Sequence, residues 1–327
     1  MIVTVTLNPS LDRTVEVAEL ARGRVLRARG THLHPGGKGV NVTRALLANG
    51  VPSRAVVPVG GPDGDQLVEL LAAEAVDAVV VPVSGRTRSN ITIAEPDGTV
   101  TKLNEPGAAL TAAELDLVLD HALADAVDGG WVVLCGSLPP GAPVDTYARL
   151  TRRLSEAGRR VAVDTSGAAL GHAVAAGPAL VKPNAEELAG AVGRPLASRV
   201  DVVAAAQELR AAGARAVLVS LGAAGAVLVD DAGVLVGECD PVEPRSTVGA
   251  GDAFLAGFLG ALHAADGAPG AALARAALAQ ALAWGAAAVR LPGSQMPGPG
   301  DIDLSAVRVL TGEELDACMT APLVGTG

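Results

Sequence analysis

Short β-branched runs alternate along this chain with longer segments of helical periodicity, and that alternation restricts the fold more than any other feature. Ile2–Leu7 reads as a strand, Val40–Asn49 as a helix stopped by Gly50, Arg54–Val59 as a strand, Asp65–Ala73 as a helix and Ala78–Val83 as a strand. The pattern resumes with helix Ala112–Ala124, strand Trp131–Cys135, helix Val144–Glu156, and strands Arg160–Asp164 and Ala179–Val181. Helices Ala185–Val192 and Val202–Ala211 and strand Ala216–Ser220 complete it. Strands that alternate with helices pair in parallel, because a parallel neighbour needs a long crossover. The expectation is an α/β fold with three layers, αβα, around a mostly parallel sheet.

Two stretches break the alternation. Residues 12–34 and 86–104 carry period-two strands without helices, the second a hairpin of Asn90–Glu95 and Thr99–Asn104 turning at Pro96-Asp97-Gly98. Strands inserted at the ends of core strands should form a small sheet of their own. The chain is therefore divided into a core (1–11, 35–85 and 105–327) and a β-sheet lid (12–34 and 86–104). Ligands of open α/β sheets bind outside the carboxyl ends of the strands, so the lid would cover the crevice. A decorative edge hairpin is the alternative.

Composition excludes several functions. A net charge of −10, a pI near 5.0 and only 2% aromatic residues argue against a nucleic-acid partner, which calls for a basic face and stacking rings. If the ligand is a phosphate, positive charge must be local. The chain has just three lysines, Lys38, Lys102 and Lys182, and two of them fall inside motifs. Cys135, Cys239 and Cys318 are odd in number and follow no metal-binding spacing, which fits a reducing, cytoplasmic compartment. The opening Met1–Leu7 carries no signal-peptide pattern. Ala271–Val289 is apolar enough to suggest a membrane span, but Arg275, Gln280 and the helical spacing read as a buried soluble helix, so no membrane role is expected. The tail from Gly293 is rich in Pro and Gly, offers one short helix around Glu313–Cys318, and its last residues read as disordered.

The most informative motif is Ser246-Thr247-Val248-Gly249-Ala250-Gly251-Asp252, at the start of an apolar helical run. Gly249, Ala250 and Gly251 let backbone N–H groups crowd together at the positive end of a helix, where an anion is held. A carboxylate beside an anion needs a reason, and Asp252 as a base taking the proton of an attacking hydroxyl supplies one. The alternative is an ordinary capping acid.

Other glycine-rich turns follow strands. Gly36-Gly37-Lys38-Gly39-Val40-Asn41 opens the first core helix but is no Walker A loop, lacking the first glycine and the Ser/Thr after Lys. It aims Lys38 and Asn41 at one space, or is a sharp turn. Asp12, after Asn8-Pro9-Ser10-Leu11, suits substrate hydroxyls or a turn. Arg88 and Asn90, in Thr87-Arg88-Ser89-Asn90, offer a phosphate clamp and an amide at the start of the lid hairpin. Among Arg22, Arg24, Arg27 and Arg29, one or two could complete a phosphate site, Arg24 and Arg27 being the candidates. Asn184 and Glu187, three apart in Lys182-Pro183-Asn184-Ala185-Glu186-Glu187, form either a capping box or oxygen ligands for a hydrated Mg²⁺. Ser220-Leu221-Gly222-Ala223-Ala224-Gly225 could let a nucleotide lie against the backbone, and Gly136-Ser137-Leu138-Pro139-Pro140-Gly141 follows another core strand.

Taken together, GGKGVNV, TRSN, GSLPPG, Asp164-Thr165-Ser166-Gly167, KPNAEEL, SLGAAG and STVGAGDAFLAGF resemble the PfkB branch of the ribokinase-like sugar kinases, and within it the phosphofructokinase group, over nearly the whole chain to about Leu291. The resemblance implies a ribokinase-like core, a lid that forms a homodimer contact, and MgATP as donor. It implies that Asp252 is the base, that Gly249, Ala250 and Gly251 form the anion hole, and that Asn184 and Glu187 serve Mg²⁺ through water. Lys182, Asn184, Ser220, Gly222, Gly225 and Thr247 would attend the nucleotide. Asp12, Gly36, Gly37, Lys38, Asn41, Arg88, Asn90 and Ser137, with Arg24 and Arg27, would hold a sugar phosphate. Asn8 before Pro9 and Lys38 within GGKG resemble members acting on fructose 1-phosphate or tagatose 6-phosphate more than those acting on fructose 6-phosphate. The implied reaction is phosphorylation of fructose 1-phosphate to fructose 1,6-bisphosphate. The alternatives are tagatose 6-phosphate or fructose 6-phosphate as acceptor, or a catalytically silent sugar-phosphate sensor of the same fold.

Overall fold

The computed structural model describes residues 1–265, 270–310 and 312–319. Strand β1 (Ile2–Thr6) is buried at every residue, as an apolar run inside a parallel sheet must be. The chain leaves it for β2 (Ser10–Glu16) and β3 (Gly30–Gly36), then returns through α1 (Lys38–Ala48), β4 (Ser53–Val59), α2 (Gly61–Ala73) and β5 (Ala78–Pro82). After the hairpin β6 (Arg88–Ala94) and β7 (Val100–Asn104) come α3 (Ala112–Asp125), β8 (Trp131–Cys135), α4 (Thr146–Glu156) and β9 (Arg160–Asp164). Next are α5 (Ala168–Val174), β10 (Leu180–Val181), α6 (Ala185–Val192), α7 (Arg199–Ala211) and β11 (Val217–Ser220). The remainder is β12 (Ala226–Asp230), β13 (Gly233–Cys239), α8 (Ala250–Ala264), α9 (Ala271–Val289), β14 (Val307–Val309) and α10 (Gly312–Met319).

These strands build a ten-stranded sheet in the order β14-β13-β12-β11-β10-β9-β8-β1-β4-β5. From β11 to β5 every pairing is parallel. Beyond β11 the sheet turns antiparallel, an edge the strand–helix alternation did not disclose. The sequence does carry a signal for it: Ala226–Asp230 and Gly233–Cys239 are β-branched runs around an Asp-Ala turn, and Asp230 Oδ1 accepts from the Ala232 N–H at 2.8 Å. Helix α5 also went unread, being short and opened by Gly167.

Apolar layers lie on both faces. One gathers Leu119, Tyr147, Leu154 and Leu170, and the other Leu46, Phe254, Leu259, Leu278 and Trp284. Helix α9 is long and apolar enough to cross a membrane, but Ala277, Leu278, Ala281 and Trp284 are buried in that second layer, which accounts for its composition. The short tail helix lies at α10, and the last residues, 320–327, fall outside the described part of the chain.

The lid is a four-stranded sheet, β3-β2-β6-β7. Its first two strands start and end two residues beyond the 12–34 read from sequence, at Ser10 and Gly36, and that extension matters for the site. Register sets Ser10 against Arg88 and Gly36, and Asp12 against Asn90 and His34. Side chains two apart on a strand share a face, so Ser10, Asp12, Arg88 and Asn90 are brought together although 80 residues separate Ser10 from Asn90.

Candidate active site

Helix α8 opens at Gly249, whose left-handed φ of 78° favours glycine. No side chain caps this helix, so the capping alternative for Asp252 does not hold. Asp252 sits in the first turn, 7% exposed, with Oδ2 accepting from Asn41 Nδ2 at 2.8 Å. Burial, with the charge of Asp164 adding to it, pushes its carboxyl up to about 7, against the Asn41 hydrogen bond and the ammonium groups of Lys38 and Lys182. Such a group is half ionised near neutrality, which suits proton removal. At the expected anion hole, Gly249 N–H has no carbonyl acceptor among the described residues. Ala250 N–H turns to the Thr247 carbonyl at 3.4 Å, while Gly251 N–H has no carbonyl acceptor among the described residues. A Cβ on Gly251 would lie 3.7 Å from Lys182 Nζ, so an ammonium stands beside that donor.

Beside Asp252 lies an ionic cluster invisible in any single motif. Asp164, at the end of β9, has a fully buried side chain between Lys38 Nζ at 2.7 Å and Lys182 Nζ at 3.2 Å. Burial raises its carboxyl, but the two ammonium groups outweigh that and hold it below the ordinary carboxylate range. Lys38, expected to face a sugar phosphate, is held by Asp164 and by Glu187 Oε1 at 3.3 Å, and these carboxylates push its ammonium well above the usual lysine range despite burial. The Asn184–Glu187 pair forms a capping box in full: Asn184 Oδ1 accepts from Glu187 N–H at 2.8 Å and Glu187 Oε2 from Asn184 N–H at 2.9 Å. Glu187 Oε1 lies outside the capping box, paired with Lys38, and keeps a lone pair that can accept from a metal-bound water. Among the described residues no cluster of three or more His, Cys, Asp or Glu forms a cage for a bare ion. An oxygen pair such as Glu187 and Asn184 fits a cation that keeps its waters, as Mg²⁺ does.

A cavity of about 250 Å³ opens between lid and core, lined by Gly37, Lys38, Arg88, Asn90, Ser137 and Glu187 among others. Two of these carry buried polar atoms with no partner among the described residues, Arg88 Nε and Asn90 Oδ1. Buried unpaired polar atoms are costly, and a ligand bearing phosphate and hydroxyls would satisfy both. Arg88 Nη1 donates to the Glu105 carbonyl at 3.2 Å, which ties the guanidinium to the lid base. Asn90 Nδ2 donates to Ser10 Oγ and Asp12 Oδ1, both at 3.0 Å, and Ser10 Oγ donates to Asp12 at 2.7 Å. Burial raises the Asp12 carboxyl despite these bonds. Ser137 Oγ accepts from Asn8 Nδ2 at 3.4 Å, which gives the Asn8-Pro9 turn a place beside the cavity.

Other expected residues lie elsewhere. Arg24 and Arg27 are exposed in the loop between β2 and β3 and do not line the cavity. Asp12, Gly36, Asn41 and Asp252 do not line it either; a Cβ on Gly36 would stand 2.4 Å from the Asp12 carboxyl, so this glycine makes room for the acid. Asn41 is 5% exposed and spends its amide inside the protein, on Asp252 and on Arg44. Gly222 opens the turn after β11 and a Cβ there would meet open space, as the nucleotide reading wants. Gly225 is different: its φ is 88° and a Cβ would meet the Gly237 carbonyl at 2.1 Å, so its glycine is set by the approach of β13. Ser220 ends β11 and bridges to Asn184, joining the two turns. Thr247 is exposed beside the start of α8.

Sequence reasoning missed the part played by Asp164 and missed Arg44 altogether. Asp164 ends a core strand within a quoted motif, a signal that could have marked it. Arg44 gives none, because a charged residue three positions after Asn41 reads as the solvent face of α1.

Comparison with known proteins matches the description "pfkB family carbohydrate kinase" over residues 5–299. A 1-phosphofructokinase of Rhodobacter capsulatus is 41% identical over 268 residues, 81% of this chain and 83% of that protein. The ATP-dependent 6-phosphofructokinase isozyme 2 of Escherichia coli is 39% identical over 257 residues, 78% of this chain and 83% of that one. The crystal structure of phosphofructokinase-2 from Escherichia coli in complex with potassium superimposes with a TM-score of 0.85 at 36% identity, covering 92% of this chain and 96% of that one.

Proposed function

The chain belongs to the pfkB family of carbohydrate kinases, with its ribokinase-like fold and ATP as phosphate donor, and from that premise we propose that it phosphorylates fructose 1-phosphate at O6 to give fructose 1,6-bisphosphate. Phosphoryl transfer is supported by the uncapped, buried Asp252 at the α8 terminus, with its pKa near neutrality and Lys182 beside the neighbouring N–H, and the choice of acceptor by the 41% identity to a 1-phosphofructokinase. In this reading Asp252 takes the O6 proton, while Gly251 N–H and Lys182 offset charge growing on the transferred phosphoryl. Glu187 and Asn184 would hold Mg²⁺ through water, and the ion supplies further neutralisation of the phosphate oxygens. Ser220 and Gly222 would lie along the nucleotide. Arg88, Asn90 and Lys38 would take the phosphate and hydroxyls of the sugar. Fructose 6-phosphate is the second reading, favoured by the isozyme 2 relative at 39% identity; tagatose 6-phosphate and a silent sensor stand behind it.

The deciding experiment couples ADP release to a panel of fructose 1-phosphate, fructose 6-phosphate and tagatose 6-phosphate. The highest kcat/KM is expected with fructose 1-phosphate. A preference for another acceptor moves the assignment, and no turnover with any of them leaves the sensor. In the same assay Arg88→Ala should raise KM for the sugar phosphate by about tenfold or more and leave KM for ATP nearly unchanged, since a hydrogen bond to a charged group contributes about 1.5–3 kcal/mol. Equal weakening of both substrates would mean that the lid had collapsed instead.

Free Cys135, Cys239 and Cys318 support a cytoplasmic location. Lid strand β7, an open edge of the small sheet with Leu103 exposed, supports a homodimer formed through the lid.

A further inference from the structure

Arg44 lies on α1, 6% exposed, and all of its bonds run into the structure. Nε and Nη2 donate to the two carboxylate oxygens of Glu74 at 2.6 and 2.9 Å, and Nη1 donates to the Ser294 carbonyl at 2.9 Å and to Asn41 Oδ1 at 3.2 Å. A guanidinium has donors alone, so whatever faces it must accept. The carbonyl end of the Asn41 amide therefore has to face Arg44, and the NH₂ end has to face Asp252, where it donates to Oδ2 at 2.8 Å. With the amide reversed, two donors would oppose each other at Arg44 and two acceptors at an ionised Asp252.

We propose that Arg44 is a positioning residue for the base: by locking the orientation of the Asn41 amide it ensures that Asp252 always receives a hydrogen bond, which favours the ionised carboxylate that can take a proton. This deepens the reading of Asp252 as base and rests on it. The remaining charged groups around Asp252 come from other places: Asp164 from β9, Lys182 from the turn after β10, Lys38 from the start of α1, with the Cys135 thiol on β8. Around Arg44 stand Glu74 at the end of α2, His34 on β3 and Asp12 on β2. None of these donates to the Asn41 carbonyl, so when Asp252 is protonated and could itself donate to a reversed amide, Arg44 is what keeps the NH₂ end towards it.

The test compares pH profiles of kcat/KM for wild type, Arg44→Met, Asn41→Ala, the double variant and Arg44→Lys. The acidic limb reports the base in the free enzyme, and titration of the substrate phosphate is common to all five proteins and cancels in their differences. Without the locked donor the base holds its proton more tightly, so in Arg44→Met and in Asn41→Ala the limb should move up by about one pH unit, about a tenfold loss of ionised base below it. The double variant should move no further than Asn41→Ala alone, because Arg44 acts through that amide. Arg44→Lys keeps a donor and should return the limb towards wild type. An unshifted limb in either single variant, or additive shifts in the double, overturns the proposal. Should Arg44→Met not fold, Asn41→Ala and Arg44→Lys decide alone, the latter by a limb as displaced as that of Asn41→Ala. Asp252→Asn separates the two levels: normal turnover in that variant sinks the base itself, whereas lost turnover with unmoved limbs sinks only the part assigned to Arg44.

Discussion

Replacing Asp252 by Asn is expected to lower kcat by ~10²-fold or more, the lower range for loss of a general base, while the protein stays folded and still binds sugar phosphate. The substituted amide keeps the volume and an oxygen to accept from Asn41, so the loss should fall on chemistry. The same substitution should raise thermal stability at alkaline pH. Asp252 has a folded pKa pushed up to about 7, above the value it has in an unfolded chain, so ionising it opposes folding. That cost is absent below the unfolded pKa, grows as pH rises towards 7 and is complete above it. Melting temperatures of the two proteins should therefore coincide at pH 4 and separate at pH 8, with Asp252→Asn the higher. Unchanged kcat in a folded variant would reduce Asp252 to a structural residue.

The second large effect is expected on the fold. Asp164→Ala leaves Lys38 and Lys182 facing each other across a buried site, and Lys182 is almost wholly enclosed, its side chain 4% exposed. Removing one member of a buried ionic cluster costs about 3–5 kcal/mol, because an uncompensated charge remains in a medium that solvates it poorly. Urea unfolding at neutral pH measures it. The sign with pH follows from the depressed carboxyl: Asp164 contributes stability that is complete above the ordinary carboxylate range and is lost as pH falls through its lower folded value. The gap between wild type and Asp164→Ala should thus narrow in strong acid. A difference under about 1 kcal/mol at neutral pH would show that the cluster is hydrated and exchangeable, as surface pairs are.

The positions of the core elements were legible because their causes are local. A β-branched run such as Val132–Leu134 and a helix stopped by a glycine such as Gly50 are dictated by neighbours in sequence, and the structure displaces their ends by a few residues at most. The antiparallel edge β12–β14 was missed although its turn is local, because the parallel pattern before it suggested more of the same. The glycine-flanked acid was legible for a like reason: small residues before an apolar helix describe an anion-binding terminus wherever they occur.

The sequence by itself determined an α/β core with an inserted β lid, an acid at a helix terminus and glycine-rich turns at strand ends, since each follows from residues within a few positions of one another. Tertiary structure alone decided which charges meet. Lys38 and Asp164 are 126 residues apart and Asn41 and Asp252 are 211 apart, and no local rule couples them. Burial and Coulomb interactions depend on separation in space, so the neutral-range pKa of Asp252, the commitment of Lys38 to Asp164 and the orientation that Arg44 imposes on Asn41 exist only once the sheet and its helices have closed around them.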